Sequence, residues 1–295
     1  MQGRTVKSGS KLIIHWSNRF KEHRCRGMAY VCLGRCEKLE DIYIRGEFDP
    51  AGIRCCQDAL KESQRLEKVF EETKLKEDLK FASCFTISYL NINRMNPHYD
   101  DILVDPYLMK SDVISFGETW LNPDQTISFD GYHGDQVNIG DGKGVSTFIK
   151  GHFQANWKKI SNDKFSGILM ETDEVNVITL YLSKGFNWTE LYQTLEEWIV
   201  DEKDVAILGD MNINYLKKTH ELITYLKKRN FTQLVEKPTQ KLGGLLDHIY
   251  VSQSLLEKKP FCSQRSVYYS DHDNITLHIP RKYCEDIDMT EEERK

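Results

Sequence analysis

The sequence predicts an α+β fold in which two β-sheets pack face to face between outer helices, a four-layer αββα sandwich. Three observations carry this. Short apolar stretches of strand length, rich in β-branched and aromatic residues, recur throughout the chain after Phe81. Helical patterns sit between some of them. Apolar residues make up 40% and aromatic residues 11% of the 295, ample for a real core.

Residues 1–56 read as a small appendage and 57–80 as a linker helix. Residues 1–81 carry 17 Lys and Arg against 13 Asp and Glu, so the net-basic part of the chain lies here. The stretch 57–80, "QDALKESQRLEKVFEETKLKEDLK", has no Gly or Pro and places Glu72 four residues before Lys76, the pattern of a charged spacer helix. The main domain spans 81–282. Its expected strands are 84–93, 112–120, 144–151, 167–172, 175–182, 204–212, 245–252 and 265–272, with helices over 98–110, 188–200 and 217–229. Thr189 stands where it could cap the second helix. Residues 283–295, with six acidic side chains, read as a disordered acidic end.

The bulk properties exclude several classes. A net charge of −5 argues against a simple basic nucleic-acid glove. No apolar run approaches the roughly 18 residues of a membrane span, so no membrane association is expected. The first residues lack the apolar core and cleavage site of a signal peptide, and the eight cysteines form no CxxC pair. An intracellular, nuclear location is expected, which makes the three N-glycosylation sequons chance matches.

Five of the apolar stretches share one feature: each meets an acid, an amide or an imidazole where it leaves the core. "ISYLNIN" reaches Asn91 and Asn93, "VISFGET" reaches Glu118, and "AILGDMN" reaches Asp210 and Asn212. "GGLLD" reaches Asp247, and "VYYSDH" reaches Asp271 and His272. Turn chemistry alone would supply Ser, Pro and Gly as readily, so the repetition points to strand ends converging on one polar site.

The ordered set Asn91, Gly117-Glu118-Thr119, Tyr181, Gly209-Asp210-Met211-Asn212, Leu246-Asp247 and Ser270-Asp271-His272 resembles the endonuclease/exonuclease/phosphatase superfamily across roughly 82–282. The resemblance implies a two-sheet sandwich flanked by helices, with Mg²⁺, or alternatively Mn²⁺, at one end. Such an ion takes hard oxygen ligands and keeps several waters, so a few carboxylates suffice. Glu118 would be its principal ligand, with Asn91 and Asp271 alongside. Asp247 would orient His272 and favour its charged form. Asp210 would orient or deprotonate the attacking water, Asn212 would hold the phosphate or the imidazole, and Tyr181 would bond the phosphate. Whether Asp210 or His272 is the base stays open. His248 points to the opposite face of its strand from Asp247 and reads as structural. Three positions depart from the family pattern: Asn93 for Asp, Ser183 for Pro, and Asn274 for Pro.

Within the superfamily, "GKGVSTFI" and "KPTQKLGGLLDHIYVS" resemble the endonucleases of mobile elements, both non-LTR retrotransposons and helentron-type transposons. DNA is the implied partner. Roughly residues 6–56, through the motif "GMAYVCLGR" at 27–35, resemble a truncated C-terminal end of helicases of the petite-integration-frequency family, with Arg35 as the nucleotide-sensing arginine and Met28, Cys32 and Gly34 departing from the pattern. No GxxxxGK[ST] occurs, so no ATP binding is expected. Two other readings stay open: a phosphatase of inositol phosphates or similar small phosphoesters, and a non-enzymatic transposon fragment that only binds DNA or a partner.

Overall fold

The computed structural model describes residues 10–15, 38–46, 61–65, 67–68, 81–186, 188–200, 203–217 and 220–281. The chain divides into two compact units between Glu77 and Asp78. In the first, β1 (Leu12–His15) and β2 (Ile42–Arg45) pair in parallel. Residues 61–65 and 67–68 are helical, inside the expected linker helix. The helicase-like segment 27–35 and the acidic end 283–295 lie outside the described residues.

The second unit contains β3 (Cys84–Asn91), β4 (Val113–Gly117), β5 (Tyr132–Val137), β6 (Val145–Lys150), β7 (Asn156–Ser161), β8 (Phe165–Glu171) and β9 (Asn176–Leu182). It continues with β10 (Val205–Asp210), β11 (Thr232–Gln233), β12 (Asp247–Val251), β13 (Phe261–Arg265) and β14 (Asn274–Pro280). They form two six-stranded mixed sheets, ordered β13-β14-β3-β4-β6-β5 and β11-β12-β10-β9-β8-β7. Helices α1 (Tyr99–Leu103), α2 (Trp188–Trp198), α3 (Glu221–Lys228) and α4 (Gln253–Leu256) complete the unit.

Alternation along the strands builds three apolar layers. Phe85, Ile87 and Tyr89 on β3 and Ile275 and Leu277 on β14 meet Val177, Ala206, Leu208 and Ile249 of the other sheet. The outer face of that second sheet, with Ile178, Leu180 and Ile207, is covered by Leu191, Leu195 and Trp198 of α2 and Leu222 and Leu226 of α3. The outer face of the first sheet is covered mostly by loops, through Leu108, Leu121 and Phe129, with Ile102 of the short α1. One polar device crosses the inter-sheet layer. Ser115, Thr147 and Thr179, all buried, form a closed ring of hydroxyl hydrogen bonds of 3.2, 2.8 and 3.1 Å.

Several expected boundaries shift for identifiable reasons. Only Arg265 of 265–272 is in a strand, as the end of β13; the rest lie in the connection to β14, the strand that follows. The helix expected over 98–110 stops at Leu103. Pro106 lacks an N–H and disfavours helix at Asp105, whose carboxylate instead accepts from the N–H groups of Tyr107 and Leu108. Thr189 is the second residue of α2 rather than a residue before its start.

Topology gathers the site at one end. The parallel pairs β3–β4 and β9–β10 deliver Asn91, Gly117, Tyr181 and Asp210 at their C-terminal ends. Because β12 and β14 run antiparallel to β10 and β3, their first residues lie at that same end. Asp247 is thus the start of a strand, not its end, and it sits directly opposite Asp210.

Gly209 holds this arrangement. Its φ is +149°, and a Cβ there would lie 1.8 Å from the Leu180 carbonyl oxygen. Gly209→Ala should cost about 3 kcal/mol or more, since backbone must move. Gly185, with φ +76° and no atom within 4 Å of such a Cβ, should lose only about 1–2 kcal/mol as Ala. Urea unfolding of the two variants checks the contrast.

Candidate active site

Three adjacent strands of the second sheet place Tyr181, Asp210 and Asp247 side by side at one end, in register across the sheet. The first sheet contributes Asn91 at the end of β3 and Glu118 just beyond β4. Asn91 donates from Nδ2 to Asp210 Oδ2 at 2.9 Å, joining the two sheets across the site. Asp210 Oδ1 accepts from the Asn212 backbone N–H at 2.8 Å. His272 Nδ1 donates to Asp247 Oδ2 at 2.7 Å, both residues being buried. The expected Asp–His contact is therefore present, with Nε2 left for other partners.

The remaining predicted residues are less central. Glu118 is half-buried, with φ +50°, and its carboxylate is hydrogen-bonded to the Tyr181 hydroxyl. Asn212 donates from Nδ2 to the Leu182 carbonyl at 2.9 Å and also bonds Tyr181, so it contacts the tyrosine rather than the imidazole. Asp271 is half-buried at the rim, where Asn93 Nδ2 reaches its carboxylate at 3.5 Å. His248 faces the outer layer, between Tyr250 Oη at 3.1 Å and the Ile213 carbonyl at 2.9 Å. Burial holds it neutral down to a pKa of about 4. Asn274 donates to the Tyr89 carbonyl at 3.1 Å, a bond that proline could not make.

Three residues act as positioning groups to which the sequence assigns no role, although Ser270 stands in the Ser270-Asp271-His272 motif. Tyr89 lies under the site, and its hydroxyl accepts from the Asp210 backbone N–H at 2.9 Å. A Cβ on Gly117 would sit 2.1 Å from that hydroxyl, so Gly117 makes room for it. The Thr239 hydroxyl accepts from the N–H groups of Leu246 and Asp247, fixing the start of β12. Ser270 donates to the Asn91 carbonyl at 2.7 Å and accepts from the His272 N–H at 3.0 Å, tying the imidazole loop to β3. Tyr89 left a trace in the sequence, as a tyrosine on the inward face of a strand ending in Asn91.

The electrostatics are unbalanced. Burial, then the facing Asp247 and to a lesser degree Glu118, push the Asp210 carboxyl up to about 8, against the pull of His272. Burial alone would depress His272. The bond and charge of Asp247, with Asp210 and Asp271, outweigh it and raise the imidazole to about 9. Asp247 Oδ1 is buried without a hydrogen-bond partner. Three carboxylates, those of Asp247, Asp210 and Asp271, thus act on one imidazolium, and that of Glu118 acts on Asp210, a donor set suited to a cation. Ligand atoms of Asp210, Asp247 and His272 lie within 4.8 Å of one another, close enough to hold a metal ion. His272 Nδ1 is committed to Asp247, however, and a protonated ring offers no lone pair. Glu118 is a more accessible carboxylate than Asp210 or Asp247 at this end of the sandwich.

Both shifts act in one direction on stability. The raised Asp210 pKa means that ionisation costs folding energy, increasingly as pH climbs from 3.8 towards 8. The raised His272 pKa gives stability that is full below 6.5 and lost as pH passes about 9. Without divalent ions, the thermal midpoint should fall by about 5 °C or more between pH 5 and 9. Asp210→Asn should flatten the lower part of this slope and His272→Gln the upper, as read by calorimetry.

No family model and no curated protein matches the chain. Solved structures do match. The endonuclease domain of TRAS1, a telomere-specific non-LTR retrotransposon, aligns over 67% of this chain and 98% of its own, with 13% identity and a TM-score of 0.52. An AP endonuclease from Archaeoglobus fulgidus gives 65% and 98%, with 18% identity and 0.54. The 3′ phosphatase NExo from Neisseria, bound to a product DNA hairpin, gives 67% and 100%, with 18% identity and 0.53. At these identities the likeness is one of fold, and over about two thirds of the chain that fold is the endonuclease/exonuclease/phosphatase sandwich.

Proposed function

We propose that residues 81–282 form a divalent-cation-dependent phosphodiesterase that nicks DNA, an endonuclease of mobile-element type. The observation that carries this reading is the buried Asp247–His272 pair set beside Asp210 at the strand ends of this fold. Residues 1–56 are read as the remnant of a helicase end without ATP binding, 57–80 as a linker, and 283–295 as an acidic tail. Support for the mobile-element assignment comes from the segments "GKGVSTFI" and "KPTQKLGGLLDHIYVS", and from the fold shared with a retrotransposon endonuclease. An intracellular, nuclear setting follows from it.

Glu118 would hold the ion, Mg²⁺ or alternatively Mn²⁺, with Asn91 and Asp271 alongside. The bound ion would neutralise charge on the non-bridging phosphate oxygens. Asp210 is the base in this reading, because His272 stays protonated at neutral pH. With the charge of Glu118 neutralised, Asp210 loses one of the influences that raise it and ionises more readily. It then takes a proton from the attacking water, whose oxygen bonds to phosphorus as the phosphorus–oxygen bond to the leaving sugar oxygen breaks, and that oxygen takes up a proton from solvent. His272 donates Nε2–H to a phosphoryl oxygen, and Asp247 keeps the ring charged and aimed. Tyr181, steadied by Asn212, supplies a further hydroxyl donor once released from Glu118.

Purified protein should nick supercoiled plasmid with Mg²⁺ and not in chelator. Glu118→Gln should abolish nicking while moving the thermal midpoint by only a few degrees. Full activity in chelator, or release of phosphate from inositol phosphates without nicking, would contradict the DNA reading. Asp247→Asn and His272→Ala should each slow single-turnover nicking by roughly 10²–10⁴-fold. The double variant should be scarcely slower than His272→Ala, because residues acting as a unit are non-additive. Fully additive losses would separate their roles.

A further inference from the structure

Two residues beyond Glu118 the surface carries a tryptophan to which the proposed hydrolysis gives no role. Trp120 is 40% exposed, and the guanidinium of Arg94 lies over its ring, 4.8 Å from the centroid. Arg94 is itself exposed. Apolar surface of this size, left next to a polar site, is where a ligand with a flat face gains most from binding.

The backbone is bent to hold the pair there. Asn93, Arg94, Glu118 and Trp120 all have positive φ, at 45°, 92°, 50° and 55°. Such conformations cost roughly 1–2 kcal/mol each for Arg94, Glu118 and Trp120, whereas asparagine adopts them more readily. Beyond the end of the parallel β3–β4 pair the two loops stay zipped together. The N–H groups of Ile92, Arg94 and Met95 donate to the carbonyls of Gly117, Glu118 and Thr119 at 3.0, 2.9 and 2.9 Å. Gly142 supports the indole from another side, since a Cβ there would lie 2.9–3.0 Å from its ring atoms. Three strained residues, a glycine seat and a three-bond zipper thus fix one indole and one guanidinium at the edge of the site. Strain concentrated this way marks a place where side chains are aimed at a ligand.

Accepting the hydrolase reading above, we propose that Arg94 and Trp120 form a stacking platform for an unpaired nucleobase next to the scissile phosphate. The domain would then prefer a single-stranded or unstacked stretch over intact duplex. The chemistry fits that ligand. A base inside a duplex has its faces covered by neighbouring base pairs, whereas an unstacked one offers a π-face to indole or guanidinium. The guanidinium also carries the charge to meet the adjoining phosphate. Arg94 and Trp120 are specificity-determining residues here, not catalytic ones.

The test uses the full chain, its Trp120→Ala, Trp120→Phe and Arg94→Ala variants, and three substrates: a labelled oligothymidylate strand, the same strand paired to its complement, and the small diester bis(p-nitrophenyl) phosphate. Wild type should cleave the unpaired strand more efficiently than the duplex. Trp120→Ala should lower kcat/KM on the unpaired strand about tenfold or more, mainly through KM, with Trp120→Phe restoring most of it. Arg94→Ala should act in the same direction. Hydrolysis of the small diester, which has no neighbouring base, should change less than about twofold. Binding of labelled oligothymidylate in chelator, followed by anisotropy, reads the platform without hydrolysis and should weaken by a similar factor. Equal loss on all three substrates would mean that Trp120 merely shapes the Glu118 loop, and would overturn the proposal. So would undiminished binding and cleavage by Trp120→Ala. Normal oligothymidylate binding that depends on Trp120, with no hydrolysis of any substrate, would instead remove the hydrolase reading and leave the platform standing.

Discussion

The structure turns on two carboxylates placed opposite each other on neighbouring strands. Asp210 and Asp247 are cross-strand partners at the end of the second sheet, both almost inaccessible. Like charges directly opposite destabilise a sheet, and burial multiplies the cost. Everything around them answers that problem. His272 offsets the charge of one, Asn91 and the Asn212 N–H satisfy the other, and Tyr89 anchors its backbone from below. Asn91 and Tyr89 come from the opposite sheet, so the two halves of the sandwich are joined where the charge is most crowded.

The sequence was legible where strands are interior and obscure where they are edges. Seven of the eight expected strands are interior strands of the two sheets, whose apolar residues on both faces give continuous runs. The four edge strands β5, β7, β11 and β13 went unread. They carry polar, half-exposed side chains such as those of "NWKKIS", which blunt an edge against pairing and also erase the pattern that reveals a strand. The one interior strand that the pattern hides, β14, alternates Ile275, Leu277 and Ile279 with Thr276 and His278, and the apolar "VYYS" just before it has the look of a strand without being one.

At the site, sequence disclosed the polar residues themselves but not what holds them. Asp210, Asp247 and His272 stand out because charged groups border apolar runs. Thr239 and Ser270 do not, because each acts through one hydroxyl bonded to backbone, and such residues are common in any loop. Strand direction was equally hidden. Asp247 was read as finishing a run and in fact begins one, and only the antiparallel partner β10 makes the two descriptions equivalent in space.

The ring formed by Ser115, Thr147 and Thr179 has a mechanical meaning. Each hydroxyl donates once and accepts once, so the ring closes on itself and leaves no donor unsatisfied in the apolar layer. An oily interface by itself resists separation far better than sliding, since hydrophobic attraction has no direction. Two members of the ring belong to one sheet and one to the other, so any shear of the sandwich would break two of its bonds at once. The ring acts as a dowel, keeping the two halves of the site in alignment.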